Sequence, residues 1–216
     1  MDISRRSFLA SAAAASLIPS QPVHAQEPAP TTPDEALKML MDGNKRFDAN
    51  NLTSIEHDLK MLRENTVEKQ QPFAAVLSCS DSRVPVELVF DQTIGHIFVA
   101  RVAGNIINAE IIGSLEYGAA VLGVKVLIVM GHSNCGAVKA AIAKTEVPGQ
   151  IASLYPHLEQ AVESGSGLVD TIKKNAKIQA SLLETTSTVL APMVKEGKLK
   201  IHAAYYDVGT GLVTLL

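Results

Sequence analysis

Two cysteines and one histidine occur in this sequence at spacings that suit a metal site. Cys79 directly follows a short apolar run, and Cys135 lies three residues after His132. Two thiolates and one imidazole are a typical zinc ligand set, and three protein ligands leave a fourth coordination position open for water. Structural zinc sites usually add a fourth ligand from a second short cluster, which this sequence lacks. The pattern therefore predicts a catalytic site with one Zn²⁺ per chain.

Each of these residues also has a plainer interpretation. A lone cysteine after a buried strand is most often a small hydrophobic core residue, and a lone histidine is more often a hydrogen-bonded core residue. Cys79 and Cys135 could instead form a disulfide if the protein is exported to an oxidising compartment. Zinc is favoured because all three residues occur together near the ends of predicted strands. The other histidines are predicted to be surface or packing residues: His24, His57, His96, His157 and His202.

Asp81 and Arg83 could act beside such a site. They are two residues apart, so in an extended segment their side chains point to the same side. An ordinary structural ion pair is the simplest interpretation. Asp81 could also coordinate zinc as a fourth ligand and close the site. Alternatively, Arg83 could hold Asp81 away from zinc, so that the carboxylate accepts a hydrogen bond from bound water.

Alternating strands and helices are predicted to position these residues. Thr32, Pro33 and Glu35 form a capping box that begins a helix, and a polar helical stretch follows through Glu68. Short apolar runs indicate strands covered on both faces. The strands are predicted at Phe73–Leu77, Ile97–Ala100, Val124–Met130, Leu199–Tyr206 and Leu212–Leu215, and helices at Ile111–Leu122 and within Ala161–Leu190.

This order of elements is typical of an α/β fold. We expect a mostly parallel central sheet of four strands plus an antiparallel edge strand, flanked by helices. Ligands of such sheets bind beyond the carboxyl ends of the strands. Both cysteines follow predicted strands at that edge.

The first residues have the composition of an export signal. Arg5 and Arg6 precede an uncharged run of residues 8–18, and Val23-His24-Ala25 is a suitable cleavage site. These features are typical of a twin-arginine secretory signal, although a hydrophobic helix docked on the domain is an alternative. We expect a signal peptide over residues 1–25, a linker over 26–31 and one catalytic domain over 32–216, located in the periplasm.

The composition argues against several classes of partner. The 216 residues include 19 basic and 22 acidic side chains, for a formal net charge of −3, so nucleic acid is not an expected partner. No apolar run reaches the roughly 18–20 residues of a membrane-spanning helix, so no span is expected in the mature chain. Gly113 and Gly118 lie within the predicted helix and Gly123 directly follows it, rather than in a strand-to-helix turn, so they do not indicate a nucleotide site.

The sequence resembles the β-class carbonic anhydrases in three segments. These are residues 79–85 (Cys-Ser-Asp-Ser-Arg-Val-Pro), residues 101–105 (Arg-Val-Ala-Gly-Asn) and residues 131–136 (Gly-His-Ser-Asn-Cys-Gly). The similarity extends over nearly all of the mature chain.

The resemblance assigns a role to particular residues. It implies that Cys79, His132 and Cys135 are the zinc ligands, and that Asp81 and Arg83 form a catalytic dyad. It also implies a homodimer or a higher even oligomer, because the family's pockets lie at subunit interfaces. The implied substrate-pocket residues are Gln70 (or its neighbour Gln71), Phe98, Ala103 and Tyr117.

The resemblance further implies reversible hydration of carbon dioxide to bicarbonate and a proton by zinc-bound hydroxide. Two thiolates and one imidazole cancel the charge of Zn²⁺, whereas three histidines would leave it positive. We therefore expect weaker acidification of bound water and activity that rises with pH through and above neutrality. Hydrolysis of carbonyl sulfide or carbon disulfide on the same site is an alternative. A non-catalytic, redox-sensitive zinc- or thiol-binding protein is a third interpretation.

Two features depart from patterns within that family. Val121 occupies the position where plant members carry a histidine, so a proton relay through this position is not expected. The sequence contains no tryptophan, which the bacterial subtype with a regulatory bicarbonate pocket uses. That form of regulation is therefore not expected either.

Overall fold

The computed structural model describes residues 28–53 and 67–216. The predicted signal peptide, and most of the polar stretch predicted to be helical before Glu68, lie outside these ranges. Residues 28–31, in the predicted linker, have no regular secondary structure. The described strands are β1 (Ala74–Ser78), β2 (Ile97–Arg101), β3 (Val126–His132), β4 (Lys200–Tyr206) and β5 (Val213–Leu215).

These strands form one sheet in the order β2-β1-β3-β4-β5. The first four are parallel and β5 pairs antiparallel to β4, which confirms the predicted fold. Every residue of β1 and of β3 is buried, which explains why both read as continuous apolar runs. Strand β3 ends at His132 rather than at Met130 as predicted, because its pairing with β4 continues to Tyr206.

Helices cover both faces of the sheet. They are α1 (Pro33–Asp48), α2 (Val86–Val89), α3 (Ala109–Ala120), α4 (Gly136–Ile142), α5 (Tyr155–Ser164), α6 (Leu168–Thr186) and α7 (Leu190–Lys195), with short 3-10 turns at Ala103–Asn105 and Gly149–Leu154. Helix α1 begins with the predicted capping box, in which Thr32 accepts a hydrogen bond from the Glu35 backbone and the Glu35 side chain accepts one from the Thr32 backbone. Within the described ranges, no helix is long and apolar enough to cross a bilayer.

The core lies in two layers against the two faces of the sheet. On one face, Leu40 of α1 packs in a cluster with Ile128 of β3. On the other, Leu115 of α3 and Leu183 of α6 pack in a cluster with Leu127 of β3. Helices therefore pack against both faces of the sheet, and this packing fixes the positions from which the loops at its carboxyl edge extend.

The helical region predicted within Ala161–Leu190 is divided in the structure. Helix α5 ends at Ser164 and α6 begins at Leu168. A Cβ atom at Gly165 would lie 2.1 Å from Thr171 Oγ1, and Gly167 has a φ of 126°. Both positions therefore require glycine, and the chain turns between two helices where the apolar periodicity alone indicated one region.

Candidate metal centre

The structure brings Cys79, His132 and Cys135 together at the carboxyl edge of the sheet. Cys79 directly follows β1, His132 is the last residue of β3, and Cys135 precedes α4. Because β1 and β3 are parallel neighbours, the segments that follow them meet. The three ligand atoms lie within 4.8 Å of one another, and all three residues are buried.

The separation of the two sulfur atoms fits a metal better than a disulfide. Both cysteines are free thiols, and their Sγ atoms lie 4.0 Å apart. Two thiolates that each bind a tetrahedral zinc ion at about 2.3 Å lie about 3.8 Å from each other. Sulfur atoms joined in a disulfide lie about 2.05 Å apart. The pair is thus spaced for joint coordination of one ion.

The His132 ring is oriented so that one nitrogen faces the sulfurs with a free lone pair. Its Nδ1 lies 2.9 Å from the Ser133 carbonyl oxygen, which can only accept, so Nδ1 carries the proton. Ser133 is itself fixed, since its N–H donates to the Tyr206 carbonyl oxygen and its hydroxyl accepts from Val208 N–H. His132 Nε2 is buried and has no hydrogen-bond partner among the described residues. A satisfied core histidine would not leave this atom unpaired, whereas a metal ligand would.

The two thiols have opposite tendencies to ionise. The pKa of Cys79 is lowered, chiefly by the hydrogen bond from the Cys135 thiol and further by the Gly104 N–H, against the effect of burial. The pKa of Cys135 is raised by that same hydrogen bond, by burial and by the charge on Cys79. Opposite shifts of this kind favour ionisation of Cys79 before Cys135, and a divalent cation would stabilise both sulfurs as thiolates.

The backbone N–H of Gly104 donates to Cys79 Sγ at an N···S distance of 3.3 Å. Gly104 lies in the 3-10 turn after β2 with a φ of 77°, a conformation that favours glycine. An added Cβ would lie at ordinary van der Waals distance from Ala137 and Leu158, so the positive φ rather than crowding is what favours glycine here. Residue type and spacing alone assign no role to Gly104. The Arg-Val-Ala-Gly-Asn segment marks the turn but does not show which atom reaches the sulfur.

Asp81 and Arg83 form a two-pronged ion pair beside the cluster. Arg83 Nε donates to Asp81 Oδ1 at 2.9 Å, and Arg83 Nη2 donates to Asp81 Oδ2 at 2.8 Å. These bonds, together with that from the Arg83 backbone N–H, hold the pKa of the Asp81 carboxyl well below its usual range. Asp81 Oδ2 lies 3.8 Å from His132 Nε2, but Asp81 is not a member of the compact ligand group. The geometry is that of a carboxylate held beside the metal position by Arg83.

Arg101 is a further residue of the site whose contacts cannot be predicted from its place in the sequence. Its Nε donates to the Cys79 carbonyl oxygen at 3.1 Å and its Nη2 to the Asp81 carbonyl oxygen at 2.7 Å. Arg101 ends β2, which is the neighbour of β1 in the sheet. The loop with Cys79 and Asp81 is therefore fastened from the adjacent strand.

Comparisons with known proteins agree with this geometry. The family model described as carbonic anhydrase matches residues 74–213. The chain is 34% identical over 194 residues to the carbonic anhydrase of Mycolicibacterium smegmatis, covering 86% of this chain and 94% of that protein. It is 32% identical over 198 residues to carbonic anhydrase 2 of Mycobacterium tuberculosis, covering 86% and 93%. Among solved structures, the β-carbonic anhydrase CafA of Aspergillus fumigatus matches with a TM-score of 0.66 and 25% identity, covering 83% and 90%. This chain belongs to the β-class carbonic anhydrase family.

The pocket residues expected for a β-class carbonic anhydrase lie on several elements. Phe98 is half-buried on β2, and its ring centroid is 6.3 Å from that of Tyr117 on α3. Ala103 is half-buried in the same turn as Gly104, and Gln70 is exposed ahead of β1. Tyr117 is 46% exposed. Their contact with substrate stays a prediction.

The remaining described histidines have other surroundings. His96 packs edge-on against Phe73 with ring centroids 5.7 Å apart. His157 is exposed and His202 is half-buried on β4. His24 and His57 lie outside the described residues.

Proposed function

We propose that this chain is a zinc enzyme that reversibly hydrates carbon dioxide to bicarbonate and a proton. The observation that carries the proposal is the compact group of Cys79, His132 and Cys135, whose ligand atoms all lie within 4.8 Å of one another. The spacing of the sulfurs and the unpaired His132 Nε2 fit a zinc ion. When bound, zinc would act as a Lewis acid that lowers the pKa of a water molecule and so provides hydroxide for attack.

The chain's own residues would orient and enclose the reactants. Asp81, kept ionised by Arg83, can accept a hydrogen bond from the attacking oxygen and direct its lone pair towards carbon dioxide. Carbon dioxide is uncharged, so the apolar side chains of Phe98 and Ala103 suit it. Gln70 would donate a hydrogen bond to the oxygen that gains negative charge.

The proton released by this reaction needs an acceptor. Val121 is 65% exposed just beyond the C-terminus of α3, and its side chain cannot carry a proton. We therefore assign proton removal to buffer or to another group of the protein.

Metal analysis combined with stopped-flow carbon dioxide hydration tests the proposal. We expect one zinc ion per chain and hydration activity in the zinc-loaded protein. Asp81→Asn and Arg83→Ala should keep the zinc and lose activity. A fully loaded protein that hydrates no carbon dioxide would overturn the proposal. If both variants left every property unchanged, a non-catalytic metal-binding role would be favoured instead.

The same preparation distinguishes carbon dioxide from its sulfur analogues. Pocket access, rather than the ligand set, would decide between carbon dioxide and carbonyl sulfide or carbon disulfide. Turnover of each gas should therefore be measured on one batch of enzyme. Faster turnover of a sulfur compound would assign the protein to hydrolysis of that compound.

We also propose that the protein is exported to the periplasm by a twin-arginine signal over residues 1–25. The support is the Arg5-Arg6 pair ahead of an uncharged run and a small-residue cleavage site. A folded reporter fused to these residues should reach the periplasm. Replacing both arginines with lysine keeps the charge and should stop export. Export that survives this change would contradict the twin-arginine assignment.

We further propose that the working unit is a homodimer or a higher even oligomer. The support is the exposure of the apolar Tyr117 and Val121 beside β2, which forms an edge of the sheet in the described chain. Light scattering after size-exclusion chromatography should give at least a dimer, and Val121→Asp should weaken it. Val169→Asp is the control, since Val169 is similarly exposed at the start of α6. A monomeric wild type would overturn this proposal.

A further inference from the structure

Helix α6 carries two buried amides, Asn175 and Gln179, which are 0% and 1% exposed. Asn175 Nδ2 donates to the Gly104 carbonyl oxygen at 2.8 Å. Gln179 Oε1 accepts from the Ile107 N–H at 2.9 Å, and Gln179 Nε2 donates to Asn175 Oδ1 at 3.1 Å. Gln179 Nε2 also donates to the His157 carbonyl oxygen at 3.0 Å. The two side chains form one connected network against the turn that contains Gly104.

This network holds the peptide unit that follows Gly104, and so one end of the turn that contains the Gly104 N–H. A glycine at a φ of 77° has wide conformational freedom, because no Cβ restricts it. Asn175 holds the carbonyl oxygen of Gly104, and Gln179 holds the chain three residues later at Ile107. The Asn105 N–H donates to the Val102 carbonyl oxygen at 2.9 Å and closes the turn. The Gly104 N–H belongs to the preceding Ala103–Gly104 peptide. That peptide lies between the held Asn105 N–H and Val102, whose own N–H donates to the Ser78 carbonyl oxygen at 3.2 Å. With both ends of the turn held, the Gly104 N–H is kept close to Cys79 Sγ.

The hydrogen bond from the Gly104 N–H affects how much charge Cys79 Sγ can donate to a metal ion. A hydrogen bond to a thiolate draws electron density from sulfur, so the sulfur donates less charge to a bound metal ion. Partners of this kind that orient and tune metal ligands typically change metal affinity 10–100-fold when removed. In a site with two thiolates, the Gly104 N–H offsets part of the negative charge that they bring.

We propose that Asn175 and Gln179 are positioning residues of the metal centre. They hold the Gly104 N–H against Cys79 Sγ and thereby set how firmly Cys79 binds zinc and how much charge it donates. The inference rests on the zinc site proposed above. It assigns to helix α6 a role in the metal chemistry as well as in packing.

The test compares isosteric variants of the network with a matched control elsewhere. Asn175→Leu and Gln179→Met keep side-chain volume and remove the hydrogen bonds. Asn44→Leu is the control, because Asn44 is also buried on a helix. Its side chain donates to the Val89 and Gly211 carbonyl oxygens and accepts from the Val213 N–H. All three variants lose buried hydrogen bonds, but only the first two loosen the turn at Gly104.

Two readouts separate metal tuning from loss of stability. The first is zinc affinity, measured in competition with a chromophoric chelator. We expect Asn175→Leu and Gln179→Met to bind zinc about 10–100-fold more weakly, because loss of the fixed position of Cys79 outweighs the greater charge donation of an unpaired sulfur, and Asn44→Leu to bind as the wild type does. The second is the thiolate-to-cobalt charge-transfer band of the Co²⁺-substituted protein. It should move to longer wavelength in the first two variants only, because an unpaired sulfur gives up its electrons more easily.

The results can contradict the positioning role of Asn175 and Gln179 separately from the proposed zinc function. If Asn44→Leu weakens zinc binding as much as the network variants, or if their charge-transfer band does not move, the positioning role is wrong. If Asn175→Leu does not fold, Gln179→Met decides by the same criteria. If the wild type binds neither zinc nor cobalt, the proposed zinc function fails first.

Discussion

Replacing Gly131 with alanine should destabilise the protein by forcing α6 away from the sheet. Gly131 lies in β3, one residue before His132, and β3 is paired with β1 and β4, so the strand cannot easily yield. A Cβ atom at this position would lie 2.8 Å from Ile172 Cγ2 and 3.2 Å from the Ile172 carbonyl oxygen. Both distances are shorter than ordinary van der Waals contact. The helix must therefore shift, and overpacking of this kind costs about 1–3 kcal/mol.

For a chain of this size, each kcal/mol lowers the thermal midpoint by about 2–4 °C. The midpoint of the zinc-loaded protein should be measured at fixed concentration for Gly131→Ala, both alone and in an Ile172→Ala background. Removing Cγ2 of Ile172 abolishes the closer contact, so the alanine at position 131 should cost less in that background. An equal cost in both backgrounds, or no cost in either, would refute the packing argument. Zinc content should be followed in parallel, because His132 is the next residue.

Three further predictions concern the metal, the dyad and pH. Activity should disappear on dialysis against a zinc chelator, return with added Zn²⁺, and rise with pH through and above neutrality. A flat profile from mildly acidic to alkaline buffer would contradict the charge argument. Arg83→Ala should lower turnover on the order of 10²-fold at unchanged zinc content, because Asp81 loses the partner that positions it. Arg83→Lys should restore little, because lysine cannot make the paired hydrogen bonds, and full activity in either variant would exclude the dyad. Burial, and to a smaller extent the charge of Lys200, lowers the pKa of His202 in the folded protein, while Asp34 acts in the opposite direction. The unfolded chain therefore binds a proton at His202 more readily than the folded protein does. Stability should therefore fall as pH drops through the unfolded value of about 6.5, less steeply in His202→Leu. Parallel stability–pH curves for the two proteins would contradict this.

Much of the fold was predictable because its signals are local. The continuous apolar runs at β1 and β3 indicated strands buried on both faces, and the structure shows them at the centre of the sheet. Thr32 and Glu35 indicated the start of α1, because their side chains make the hydrogen bonds of a capping box. The break between α5 and α6 was missed, because the need for glycine at position 165 comes from Thr171, six residues later.

The proposed zinc site likewise depends partly on local sequence and partly on contacts between distant residues. Residue type and spacing along the chain were enough to select Cys79, His132 and Cys135, because thiolates and imidazoles bind zinc in any fold and two adjacent parallel strands end at one edge. The partners of those ligands could not be selected in this way. Gly104 reaches Cys79 across 25 residues of sequence, and Asn175 reaches Gly104 across 71. Such bonds exist only because α6 packs across the sheet and places its buried amides against the turn. Side-chain chemistry therefore pointed to the candidate metal ligands, whereas the packing of distant elements selected the groups that hold them.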